Sequence, residues 1–135
     1  MLLDLVKRFS PTPLAGILTL NGMSVRVATN YDLVLDRLRA ASTGSGADGG
    51  NLPTVNWRIV VERDGDAPGD DRTLCGFTHD GLSFIRISHG SFLAGDRRAR
   101  CGISFVARDL ISEELFGQYF FPAFMSILCE MKENA

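Results

Sequence analysis

The sequence predicts an α+β domain: a mostly antiparallel sheet of about five to six strands in hairpin–helix–meander order. A middle helix and a long C-terminal helix, kinked or restarted at a proline, pack on it. Three observations carry this reading. A clean Asn-Gly hairpin lies near the start, alternating strands with turn signals fill the middle, and an apolar helical stripe closes the chain.

The hairpin is the strongest local signal. Ile17-Leu18-Thr19-Leu20 runs into Asn21-Gly22 and then Met23-Ser24-Val25-Arg26-Val27. Asn-Gly suits the two positive-φ positions of a type I′ turn. A two-residue loop pairs Leu20 with Met23, Thr19 with Ser24 and Leu18 with Val25. One face is then apolar and the other largely polar, as a half-buried hairpin requires. Thr29 or Asn30 is placed to cap the next helix, with Asp32 in its first turn. Tyr31, Val34, Leu35, Leu38 and Ala41 form its inward stripe.

Val55, Trp57, Ile59 and Val61 alternate with Asn56, Arg58 and Glu62, the pattern of a strand with one buried face. The meander follows as Thr73–Thr78, Leu82–Ser88, Ser91–Ala94 and Ala99–Val106, with turns at Asp80-Gly81, His89-Gly90 and Gly95–Arg98. Leu74, Ile85 and Ile87 oppose Cys75, Phe77 and Phe84 in parity, which predicts a sheet partly covered on both sides. Ser112 is a good N-cap before Glu113 and Glu114. Pro122 has no N–H to give a helix interior, so a kink or restart is expected there, with the proline in the first turn of the second piece.

At 135 residues, with 45% hydrophobic and 22% charged side chains, the chain reads as one globular domain spanning 1–135. Flexible loops are expected at 42–53, rich in Gly and Ser, and at 63–72, acidic with Gly and Pro. Leu2, Leu5, Val6 and Phe9 have helical spacing, and Pro11 and Pro13 would stop that helix. Asp4 and Lys7 break up any signal-peptide core, and no run approaches the ~20 apolar residues of a membrane span. Fourteen basic against sixteen acidic residues, net −2, lack the cationic footprint that nucleic-acid binding needs. Cys75, Cys101 and Cys129 are odd in number, far apart and without a CxxC pair. They fit a reducing compartment, so the expected location is the cytoplasm.

Catalytic and cofactor motifs are hard to find. Gly44–Gly50 is glycine-rich but is followed by no Gly-Lys-Ser or Gly-Lys-Thr, so it cannot hold a phosphate as a P-loop does. A calcium loop from Asp64 would need a glutamate at its twelfth position, where Cys75 stands. His79 and His89 fall at opposite ends of one strand and cannot act as a pair. His89-Gly90-Ser91 lacks a nucleophile elbow. The reading leans away from an enzyme and calls for no cofactor and no metal.

Two surfaces remain. Arg97, Arg98 and Arg100 form the one basic cluster and a candidate anion contact. Phe116, Phe120, Phe121, Phe124, Met125 and Leu128 cover more of the C-terminal helix than one sheet would hide. Aromatics and Met are enriched at interfaces, and a twofold homodimer is the commonest such contact. The sequence therefore predicts a non-catalytic cytoplasmic interaction or regulatory module, partnered by itself or another protein through that helix. The alternative is a small-molecule site between sheet and helix, lined by Trp57, Tyr119, Arg86 or Arg100.

The Gly16–Asn30 hairpin, the Tyr31–Ala41 helix, the Asp80-Gly81 turn and the apolar helix ending near Met131 resemble the segment that precedes the kinase core in bacterial HPr-kinase-like proteins. The likeness spans about residues 15–131. It implies an accessory domain without kinase activity, and it transfers no functional residue.

Overall fold

A computed structural model describes residues 12–42, 53–62, 74–88 and 91–133. Its elements run β1 (Leu14–Leu20), β2 (Met23–Thr29), α1 (Asp32–Ala41), β3 (Thr54–Glu62), β4 (Cys75–His79), β5 (Leu82–Ser88), β6 (Ser91–Asp96) and β7 (Cys101–Ala107). A 3-10 turn (Arg108–Ile111) leads to α2 (Glu113–Leu115), a π-helical turn (Phe116–Phe120) and α3 (Phe121–Glu133). The expected helix over 2–9 and most of the two expected loops lie outside the described residues, as does His89.

The class is α+β as expected, but the sheet has seven strands in the order β1-β2-β3-β7-β6-β5-β4 and is mixed. β2, β3 and β7 run parallel, and the remaining pairs are antiparallel. Two long connections place parallel pairs at the centre of a sheet whose other four pairs are antiparallel, the expected majority. β2–α1–β3 is a helical crossover, and β7 returns past the β4–β6 meander to lie beside β3. Consecutive burial of Ile59, Val60 and Val61 in β3, and of Phe105, Val106 and Ala107 in β7, marks these as central strands.

The first hairpin has the expected register, Leu20 with Met23 and Leu18 with Val25. Asn21 and Gly22 take φ of 52° and 74°. Asp80 and Gly81 repeat that geometry at 50° and 84°, pairing His79 with Leu82 and Phe77 with Phe84.

Among the described residues the helices lie on one face. α1 packs over β1, with Leu35 against Gly16, and α3 crosses the middle of the sheet, with Ile127 and Met131 against Gly95. Trp57 lies beneath α3, only 2% exposed, its indole N–H donating to Ser104 Oγ at 2.7 Å. Its ring lies over Gly102, its register partner on β7: a Cβ there would come within 2.3 Å of the ring. Phe124 meets the other side of Trp57 edge-on at 4.9 Å.

Two caps differ in their detail. Asn30 does not cap α1. It exchanges two hydrogen bonds with the Val61 backbone, at 3.0 and 2.8 Å, and ties the end of β2 to the end of β3. Thr29 Oγ1 accepts from the Tyr31 N–H instead, and Tyr31 holds the N-cap position without a side-chain bond. Ser112 caps α2 as expected, accepting from the Leu115 N–H. At Pro122 the helix neither breaks nor restarts; it widens. The Phe121 N–H donates to the Phe116 carbonyl, five residues back, so the turn before the proline is π-helical and Pro122 sits in the first turn of α3.

Candidate interaction site

The second face of the sheet carries Cys75, Phe77 and His79 from β4, Leu82, Phe84 and Arg86 from β5, and their register partners inward. Among the described residues no helix lies on it. The mixed parity noted in the meander is therefore one helix-packed face, with Ile85 and Ile87, and one face of different character. That second face is not evenly wetted. Val60 and Phe105 near its centre are buried, whereas Phe77 is 65% exposed and Leu82 54%.

Local pairing places the phenylalanines. The Asp80-Gly81 turn sets Phe77 opposite Phe84, β6 brings Phe92 alongside, and β7 sets Phe105 opposite Phe92. Ring centroids step across the four strands at 5.5, 5.2 and 5.1 Å, the first two pairs stacked and the last edge-on. Each cross-strand aromatic pair contributes on the order of 0.5–1 kcal/mol to the sheet. Beside the ladder lies an apolar hollow of about 440 Å³, with Phe77, Leu82 and Phe84 along one side and Ala94 and Ile103 beneath. A wider concavity of about 870 Å³ lies further along the same face, where Ile17, Arg26, Asn56 and Arg58 line it. Arg58 Nε there donates to Thr12 Oγ1 at 3.3 Å.

Cys101 borders both depressions. Loss of water around its thiol, and then the neighbouring Asp96 carboxylate, push its pKa above the ordinary value of 9.0. It is a protonated thiol near neutral pH and a poor nucleophile.

The residues singled out from sequence fall in different places. Phe116, Phe120, Phe124 and Leu128 are at most 5% exposed and belong to the core of this chain. Phe121 and Met125 pack partly against that core and keep some exposure. The wide aromatic stripe has a physical cause that periodicity hides: the π turn shifts the helix phase, so residues on either side of it share one inward face. An interface on this helix would reduce to Phe121 and Met125.

The arginine cluster is a turn latch. Arg98 pairs with Asp80 at 2.9 Å, the Arg97 N–H donates to Gly81 O at 2.9 Å, and Arg100 takes φ 51° while its carbonyl accepts from Asn56 N. With Arg98 engaged, an anion contact would fall to Arg97 and Arg100. The alternative pocket set does not converge. Trp57 is core, Tyr119 is on the helix, and Arg86 points from the second face. What does open between sheet and helix is a cleft of about 330 Å³ by β4, of mixed polar and apolar lining, where Glu130 accepts from Thr78 Oγ1 and Ser83 Oγ.

Set against protein-family models, curated proteins and solved structures, the chain has no match in any of the three. No family is shown. The reading of this face rests on its own chemistry. Among the described residues, no group of His, Cys, Asp or Glu is placed to hold a metal ion, and no helix is long and apolar enough to cross a membrane.

Sequence reasoning passed over Leu82, Phe84 and the hollow, although a signal was present. The logic that sets Leu20 against Met23 across Asn-Gly also sets Phe77 against Phe84 across Asp80-Gly81. The steps to Phe92 and Phe105 needed the register of β6 and β7.

Proposed function

We propose that this chain is a non-catalytic protein-interaction module of the cytoplasm that binds through the β4–β5 end of its second sheet face. One observation carries the reading: Phe77 and Leu82, both more than half exposed, flank an apolar hollow instead of being scattered singly. Exposed apolar groups gathered around a depression are the mark of a partner surface. The polar neighbours His79, Arg86 and Asp96 provide the kind of rim that surrounds such patches. The three free thiols, all exposed, agree with a reducing compartment. An accessory role beside a catalytic domain, which the HPr-kinase-like resemblance implies, fits a module of this kind.

The test is site-specific photo-crosslinking in the cells that make the protein. A photoreactive residue at Leu82 is expected to capture another protein, and one at the exposed helix position Gln118 is expected to capture none. Equal capture at both positions, or none at Leu82, overturns the reading. Native mass spectrometry adds a second check, since a retained small molecule would favour a ligand-binding protein instead.

A further inference from the structure

We infer that the β4 edge joins two copies of this chain, antiparallel about a twofold axis through Phe77. This goes beyond the binding reading above, because the groups that bind are the backbone N–H and C=O of one strand edge.

Among the described residues β4 is an outermost strand, hydrogen-bonded to β5 alone, and all five of its residues are exposed. Sheet edges of soluble proteins are ordinarily protected against pairing by charged side chains, proline or a bulge. Cys75-Gly76-Phe77-Thr78-His79 has no Asp, Glu, Lys, Arg or Pro, and its pairing with β5 runs without a register shift. The opposite edge, β1, is treated differently. Ser42 at the end of α1 donates its hydroxyl to the Thr19 carbonyl at 2.9 Å and occupies part of that edge.

The aromatic ladder says what fits. Among the described residues its rings repeat at 5.1–5.5 Å from Phe105 outward and stop at Phe77, which stacks on Phe84 on one side only. An antiparallel strand centred on Phe77 would set a fifth ring at the same spacing. A second copy supplies that ring, because the strand is self-complementary about its midpoint: Phe77 meets the partner subunit's Phe77, Gly76 meets the partner's Thr78, and Cys75 meets the partner's His79. Opposed residues of an antiparallel pair share a face, so the ladder continues on one side. On the helix side Gly76 meets the partner's Thr78, and each Thr78 hydroxyl donates to Glu130 of its own α3. The contact is isologous and closes at two copies, which leaves no β4 edge open for further growth.

Light scattering on the purified full chain, from low to high micromolar concentration, is expected to show a monomer–dimer equilibrium. Phe77→Lys sets two like charges opposite each other and should weaken the dimer by about 100-fold or more. Ile17→Lys, equally exposed on the other edge of the same face, should leave it unchanged. A second arm covers misfolding of the lysine variant. With Cys75, Cys101 and Cys129 replaced by Ser, Phe77→Cys should oxidise rapidly to a covalent dimer, and Ile17→Cys should not. A chain that stays monomeric throughout overturns the inference, as does a dimer indifferent to Phe77→Lys or crosslinking no faster at position 77 than at 17. Ala94→Asp, in the floor of the hollow, should abolish capture of a different protein by the probe at position 82 while sparing the dimer, so the two readings fail separately.

Discussion

The two faces of this sheet are built from similar amino acids and do different work. The helix side is dry and interlocked: Trp57 sits on the bare backbone of Gly102, is met edge-on by Phe124, and sends its one polar atom to a buried serine hydroxyl. The other side holds four rings in a row along neighbouring strands, increasingly wet toward β4. The contrast teaches that hydrophobic content does not separate core from surface. What separates them is whether a second layer covers the side chain, and glycines opposite a large ring are the sign of such a layer.

Four measurements sharpen the contrast. The largest effect is expected from Trp57→Ala, which empties the space beneath α3 and strands the Ser104 hydroxyl. Urea unfolding should register a loss of about 3–5 kcal/mol. Gly102→Ala comes next, at about 1–3 kcal/mol, because the added methyl has no room against the indole and a central strand cannot yield easily. Phe77→Ser on the other face should cost no more than about 1 kcal/mol in the monomer, since the ring loses one stacking partner and little burial. A large loss there would show that face to be core. The smallest effect is chemical. Cys101 should alkylate more slowly than an ordinary thiol at pH 8, with a rate midpoint displaced above 9.0. The sign follows from the raised pKa, which keeps the thiol protonated to higher pH, and replacing Asp96 with Asn should bring the midpoint down. A midpoint at or below 9.0 would contradict the raised pKa.

The same comparison explains the reading of the C-terminal helix. Counted on a regular helix, Phe116, Phe120, Phe121, Phe124, Met125 and Leu128 spread over too wide an arc for one sheet. The π turn ahead of Pro122 rotates the later residues, and Phe116, Phe120, Phe124 and Leu128 all reach the core. Pro122 announced an irregularity, but whether the backbone would kink, break or widen depended on what the flanking phenylalanines could pack against.

Read alone, the amino-acid order determined what neighbouring residues decide among themselves. Asn21-Gly22 dictated a turn and with it the whole register of β1 on β2. Ser112 marked a helix start, alternation around Trp57 made a strand, and Asp80-Gly81 already implied that Phe77 faces Phe84. The tertiary structure alone decided that β7 would slide in beside β3, that the sheet would be mixed, and that Asn30 would bind β3 instead of capping α1. Parallel pairing joins segments 30 residues apart (Ser24 with Thr54) and 45 apart (Asn56 with Cys101), with no turn between them to set the register. Its outcome is settled by which strands fill the centre of the sheet and which face the helices cover, and no local window of sequence contains that choice.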